Sequence, residues 1–96
     1  MIIYIKKFGT TLTSRDSGRE AFSALKSTLK ELKTDESLIL DFSGVNTFTP
    51  SWGDEFISNL HNLYKDNLVL KNTENKSVKM TLELLSEINK VKFNIQ

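Results

Sequence analysis

With 96 residues, the chain has room for one domain, near the lower end of what builds a core without disulfides or metals. Thirteen basic against 12 acidic side chains leave a formal charge of +1, so no overall field steers it toward nucleic acid or an anionic membrane. Cysteine is absent, which excludes disulfides, thiolate metal sites and thiol catalysis and fits a reducing compartment, with a cytoplasmic protein the simplest reading.

Met1 to Ile5 is dense in β-branched residues and is closed by Lys6-Lys7-Phe8-Gly9, which predicts a first strand. Thr10 to Arg15 reads as a loop. From Ser17 the pattern turns helical: Ser17 and Glu20 form a capping box, and Phe22, Leu25, Leu29 and Leu32 recur at helical spacing through about Lys33. Thr34-Asp35-Glu36 turns into a strand over 37–42, where an apolar run broken only by Asp41 predicts a central strand covered on both faces. Ser43-Gly44 ends it, and a loop runs to Pro50. Ser51 followed by Asp54 is a variant capping box, so a second helix is expected from Trp52 until Asn67 breaks it. At about 100° per residue, Trp52, Gly53, Phe56, Ile57, Leu60, Leu63 and Tyr64 share an apolar arc, while Asp54, Glu55, Asn59 and His61 fall outside it. Leu68-Val69-Leu70 is a short third strand, Asn75 caps a third helix carrying Val78, Leu82, Leu85 and Ile88, and Val91 to Ile95 alternates as an edge strand. The longest apolar runs reach about five residues against the roughly 20 of a membrane span, and the start lacks the apolar stretch of a signal peptide.

The order β-α-β-α-β-α predicts a single α/β domain over 1–96, with three helices on a mostly parallel sheet of roughly three to five strands and right-handed crossovers. In such a sheet the loops after the strands gather along one edge, here Gly9 to Arg15, Ser43 to Pro50 and Lys71 to Asn75. Asp41, at the end of an apolar strand, needs partners, and the turn Ser43 to Val45 can supply N–H groups to it. Ser51 is either a helix cap or a phosphoacceptor, since a phosphate at a helix start meets free N–H groups and a favourable dipole. Asp54 and Glu55 are paired carboxylates, but adjacent helical residues diverge by about 100°, which favours dipole complementation or partner contact over acid–base chemistry. Trp52 is either core or a surface anchor; Arg15 either reaches a phosphate or an acidic partner across the loop edge or is simply solvated; His61, the single histidine, reads as a solvated side chain rather than a metal ligand. The hydroxyl-rich run Gly9 to Ser14 lacks the pattern of a phosphate loop.

The middle segment, Asp41-Phe42-Ser43-Gly44-Val45 with Phe48 and a Ser51-containing turn into a helix, resembles the STAS domains of bacterial anti-sigma-factor antagonists. It is more closely similar to STAS-like domains of unassigned function, through Phe8-Gly9, Ser14-Arg15, Asp41-Phe42 with Val45, Asp54-Glu55, and Asn75 ahead of Val78 and Met80. The resemblance implies a non-enzymatic regulatory module that binds a protein partner through the loop after the central strand and the start of helix two. In STAS proteins that partner is an ATP-binding anti-sigma factor of the histidine-kinase-like fold, which phosphorylates a serine at the helix start. Where a phosphorylated STAS turn reads Asp-Ser-Ser-Gly, this chain reads Pro50-Ser51-Trp52-Gly53. On this reading Phe48, Thr49, Pro50, Ser51, Trp52, Asp54 and Glu55 form the docking segment, Ser51 is the candidate phosphoacceptor, and Arg15, Asp41 and Asn75 support the loops. No cofactor, metal, nucleic acid or membrane is expected, and the short edge strands leave self-association open. The alternative is a small-ligand or nucleotide sensor using the three convergent loops.

Overall fold

The computed structural model describes residues 1–96. Strand β1 (Ile2–Tyr4) runs into a 3₁₀ turn over Ile5–Phe8, and β2 (Thr11–Leu12) leads to helix α1 (Arg15–Leu29). Strands β3 (Leu38–Asp41) and β4 (Thr47–Phe48) precede a continuous helical rod made of α2 (Pro50–Gly53), a π-helical turn (Asp54–Ser58) and α3 (Asn59–Tyr64). After β5 (Leu68–Lys71) come α4 (Lys76–Asn89) and β6 (Asn94–Ile95). The main sheet has the order β1-β3-β5-β6 with every neighbouring pair parallel, and a second, two-stranded parallel sheet joins β2 to β4. The α/β class, the three helical rods and the edge strand at the end of the chain agree with the sequence expectation. No helix is long and apolar enough to cross a membrane.

Register fixes which side chains share a face, because a strand alternates with period two. Ile3, Leu40, Leu70 and Ile95 line up on one face, and Ile2, Ile39, Val69 and Asn94 on the other. The hydrophobic core takes Ile3, Leu38, Leu40, Leu68 and Leu70 from the first face, together with residues of all three helical rods. It takes none of Ile2, Ile39 or Val69, and Ile2 and Tyr4 stand about half exposed. All the helices therefore cover a single face. The expectation of a central strand covered on both faces is corrected: Ile39 and Val69 are shielded mainly by their sheet neighbours rather than by a helical layer.

Other corrections concern boundaries. Ser14, not Ser17, caps α1, its side chain accepting a hydrogen bond from the Ser17 N–H, so the helix begins earlier and ends at Leu29 rather than near Lys33. Within Thr10 to Arg15 and 43–50, both expected as loops, Thr11 pairs with Thr47 and Leu12 with Phe48, which ties the two segments together. Strands of two residues are too short to show periodicity.

The second helical rod differs most from a uniform helix. From Ser51 to His61 its burial repeats every four residues, with Trp52, Gly53, Phe56, Ile57, Leu60 and His61 inside. Four residues of an α-helix advance about 400°, so a strict four-residue period would drift off the core by about 40° per turn. The π turn over Asp54–Ser58 takes in an extra residue and cancels that drift. Its cost to the backbone ladder is eased by Asn59, whose side-chain amide donates to the Glu55 carbonyl at 2.6 Å. The rotation carries His61 inward, edge-on to Phe93 with ring centroids 5.3 Å apart, and turns Leu63 out to 59% exposure. Both side chains are thus placed opposite to the expectation from a regular wheel.

Candidate functional site

The segment singled out by sequence begins at Phe48, and it is anchored by hydrogen bonds to two elements, α4 and β2. Phe48 donates its N–H to Ser77 Oγ (2.8 Å) and accepts from the Ser77 and Thr81 hydroxyls at its carbonyl, which fixes β4 against α4. Thr49 donates its N–H to the Leu12 carbonyl and its hydroxyl to the Thr13 carbonyl (2.8 Å), locking the same segment to β2. Thr49 is also the N-cap of α2, accepting from the Trp52 N–H, with Pro50 in the first turn where its missing N–H costs nothing. The expected Ser51 cap is therefore corrected; Ser51 lies inside the helix, half-buried. The Thr-Pro dipeptide carried that signal in the sequence.

Phe48 and Trp52 are core residues and present no surface to a partner, a second correction to the docking segment. The Trp52 ring stacks among Phe56 (4.8 Å), Phe48 (5.7 Å) and Phe8 (6.2 Å between centroids), and its indole N–H donates to Ser17 Oγ. Burying aromatics of this size stabilises the chain by about 1.5–3 kcal/mol each, which outweighs what an exposed anchor offers a monomer. Gly18 of α1 makes the close approach possible: a Cβ there would lie 2.6 Å from the Trp52 carbonyl oxygen.

Beside this core the polar rim is an ion-pair cluster. Arg15 Nη1 reaches Asp54 Oδ2 (3.1 Å) and Glu55 Oε1 (3.3 Å), and Arg19 bridges Glu55 and Asp16. The hydrogen bonds that Arg15 donates to Asp54 and then to Glu55 push its pKa above the ordinary value. The acidic pair is thus held by α1. Sequence pairing had found Asp54, Glu55 and Arg15 but not that they meet, nor that Arg19 joins them.

On the strand edge, Asp41 Oδ1 accepts from the Ser43 N–H (2.8 Å) and hydroxyl (2.6 Å), and both its oxygens accept from the Asn72 amide at 3.0 Å. Asn72 adopts a positive φ of 57°, so its side chain turns back across the edge. The Ser43 hydroxyl, then the Asn72 amide, lower the Asp41 pKa. Asn75 caps α4 through the Val78 N–H (3.1 Å). Asp41 thus bonds the turn after β3 and Asn75 caps α4, with Asn72 the partner of Asp41 that has no signal in the sequence. Asn46 and Thr47 donate to the Thr10 carbonyl, so the convergent loops spend their polar groups largely on each other.

The surface feature without a sequence counterpart lies on α4. Met80 and Leu84 are 68% and 40% exposed and, with Thr49, Pro50 and Ser77, line a shallow cleft of about 390 Å³ against the start of α2. Pro50 is exposed at its rim. No group of three or more His, Cys, Asp or Glu side chains is placed to share a metal ion.

No curated protein and no solved structure matches the chain significantly. The family model of the STAS-like domain of unknown function (DUF4325) does match, over residues 23–78, which is more than half of the 96 residues, and the chain belongs to that family.

Proposed function

We propose that this chain is a non-enzymatic regulatory module that docks a protein partner through the start of α2 and the adjoining face of α4. The observation that carries the reading is the pair of exposed apolar side chains, Met80 and Leu84, set beside Thr49 and Pro50 on a rigidly anchored helix start. Covering exposed apolar side chains removes them from water, and the anchored backbone beneath them needs no ordering when a partner docks. The ion-pair cluster of Arg15, Arg19, Asp54 and Glu55 ties α1 to the same helical rod, which supports a fixed position for the helix start. The partner class implied by the STAS resemblance is a histidine-kinase-like ATPase or anti-sigma factor. Ser51 is the candidate phosphoacceptor of the same surface, and a phosphate there adds negative charge close to the cleft.

The test is capture from native lysate on wild-type and Met80→Glu/Leu84→Glu baits, with the intact mass of each bait read alongside. Both positions are exposed, so the variant keeps its melting temperature within a few degrees. Capture of a kinase-like ATPase by the wild type and its loss with the variant is the expected result, and an added phosphate that disappears in Ser51→Ala would assign Ser51. Equal capture by both baits would refute this surface. A melting temperature raised by nucleotide would instead favour the ligand-sensor alternative, built on the loops at Asp41 and Asn72.

A further inference from the structure

The main sheet has two edges, and they differ. β6 is two residues long with Lys92 next to it, a short charged edge of the kind that resists pairing. β1 belongs to the run Met-Ile-Ile-Tyr-Ile, with no charged side chain before Lys6. The Ile39 N–H donates to the Met1 carbonyl at 2.8 Å, and alternation then directs the backbone N–H groups of Ile2 and Tyr4 and the Ile2 carbonyl away from β3, out of the sheet. The Tyr4 carbonyl is engaged as cap of the following 3₁₀ turn. Ile2 and Tyr4 are also the residues of β1 that stand 52% and 49% exposed on the face no helix covers.

We propose that β1 is a self-association edge: a second copy of this chain pairs with it antiparallel about a two-fold axis, Ile2 of one copy opposite Tyr4 of the other. Each Tyr4 N–H then donates to an Ile2 carbonyl, and the two β-branched–aromatic pairs pack side by side on the open face. Charge favours this orientation. Glu36 sits at the start of β1, bonded to the terminal ammonium at 2.8 Å, and Lys6-Lys7 follow its end. An antiparallel two-fold sets the Lys6-Lys7 end of each copy beside the neutral Glu36–ammonium pair of the other, whereas a parallel pairing would bring the two Lys6-Lys7 pairs together. With only three residues in the strand, the contact is a concentration-dependent dimer rather than an obligate one.

Sedimentation of the full chain over a concentration series should show the mass rising from 11.0 kDa toward twice that value, with Tyr4→Lys remaining monomeric throughout. Met80→Glu/Leu84→Glu should dimerise as the wild type does, which separates this edge from the docking surface on α4. The register is read by crosslinking. The chain has no cysteine, and hydrogen-bonded antiparallel partners lie about 5.5 Å apart at Cα, inside the disulfide range. Ile2→Cys/Tyr4→Cys should therefore run as a covalent dimer under oxidising conditions, while either single variant should not. A wild type that is monomeric at every concentration, association unchanged by Tyr4→Lys, or a double-cysteine variant that never crosslinks would each overturn the proposal. If Tyr4→Lys fails to fold, the crosslink decides, because it substitutes only exposed positions.

Discussion

Gly18 shows how one missing methyl positions the site. Glycine inside an exposed helix normally costs about 1 kcal/mol relative to alanine, so Gly18→Ala gains on propensity alone. Its Cβ, however, would meet the Trp52 carbonyl oxygen at 2.6 Å and the Trp52 Cα at 3.0 Å, and backbone cannot step aside as a side-chain tip can. The clash wins, and chemical denaturation should find Gly18→Ala destabilised by about 1–3 kcal/mol. Asp41 makes the opposite kind of point, since its role as an acceptor for the turn after β3 was legible from its place at the end of an apolar strand. Its pKa is lowered by the Ser43 hydroxyl and then the Asn72 amide, and that of Glu36 by the terminal ammonium and then the Lys33 N–H. A lowered folded-state pKa stabilises above the unfolded value, and the stability is lost as pH falls through the folded one. Denaturant midpoints should therefore hold above the ordinary values of 4.5 and 3.8 and decline below them, and Asp41→Asn should flatten that acid limb. Asp41→Ala should cost about 0.5–1.5 kcal/mol at neutral pH, since the exposed Ser43 and Asn72 donors exchange their charged acceptor for water.

At the scale of elements, the helical rod from Pro50 to Tyr64 marks where sequence reading fails and why. A hydrophobic wheel assumes a constant angle per residue, and the Trp52, Phe56, Leu60 and Tyr64 spacing of four was in plain view without being read as a departure from it. The π turn converts that spacing into a straight buried stripe, at the expense of the wheel's assignments beyond it. His61 and Leu63 separate the two geometries. On a regular helix Leu63 is core and His61 is solvated; with the π turn the roles exchange. Leu63→Gln should leave stability within about 0.5 kcal/mol of wild type, whereas His61→Ala should cost about 1–3 kcal/mol through lost packing on Phe93, both read from urea unfolding. The same limit explains β2 and β4: two-residue strands joined across Thr11–Thr47 leave no local pattern, while β3, β5 and α4, with long apolar runs and the Asn75 cap, were legible almost to the residue.

For the molecule as a whole, the central consequence is that three helical rods cover one face of a four-stranded sheet and leave the other bare. Composition and element order yield the class and the parallel topology, but not the side on which the helices pack, because Ile39 and Val69 look as apolar as Leu38 and Leu40. The proposed docking surface was legible only in part for a related reason. Its anchoring residues lie in one contiguous segment, whereas Met80 and Leu84 come from a helix that reaches them only in three dimensions. Amide hydrogen exchange tests this architecture directly. β3 is bonded on both sides, with the Ile39 N–H on the Met1 carbonyl and the Phe42 N–H on the Lys71 carbonyl, so these amides should exchange only through global unfolding. The outward amides of Ile2 and Tyr4 should exchange orders of magnitude faster in dilute solution and slow as concentration rises, in step with the dimer. Protection of Ile2 and Tyr4 at every dilution would mean that something within the chain covers the β1 edge, and the two-fold pairing would have to be abandoned.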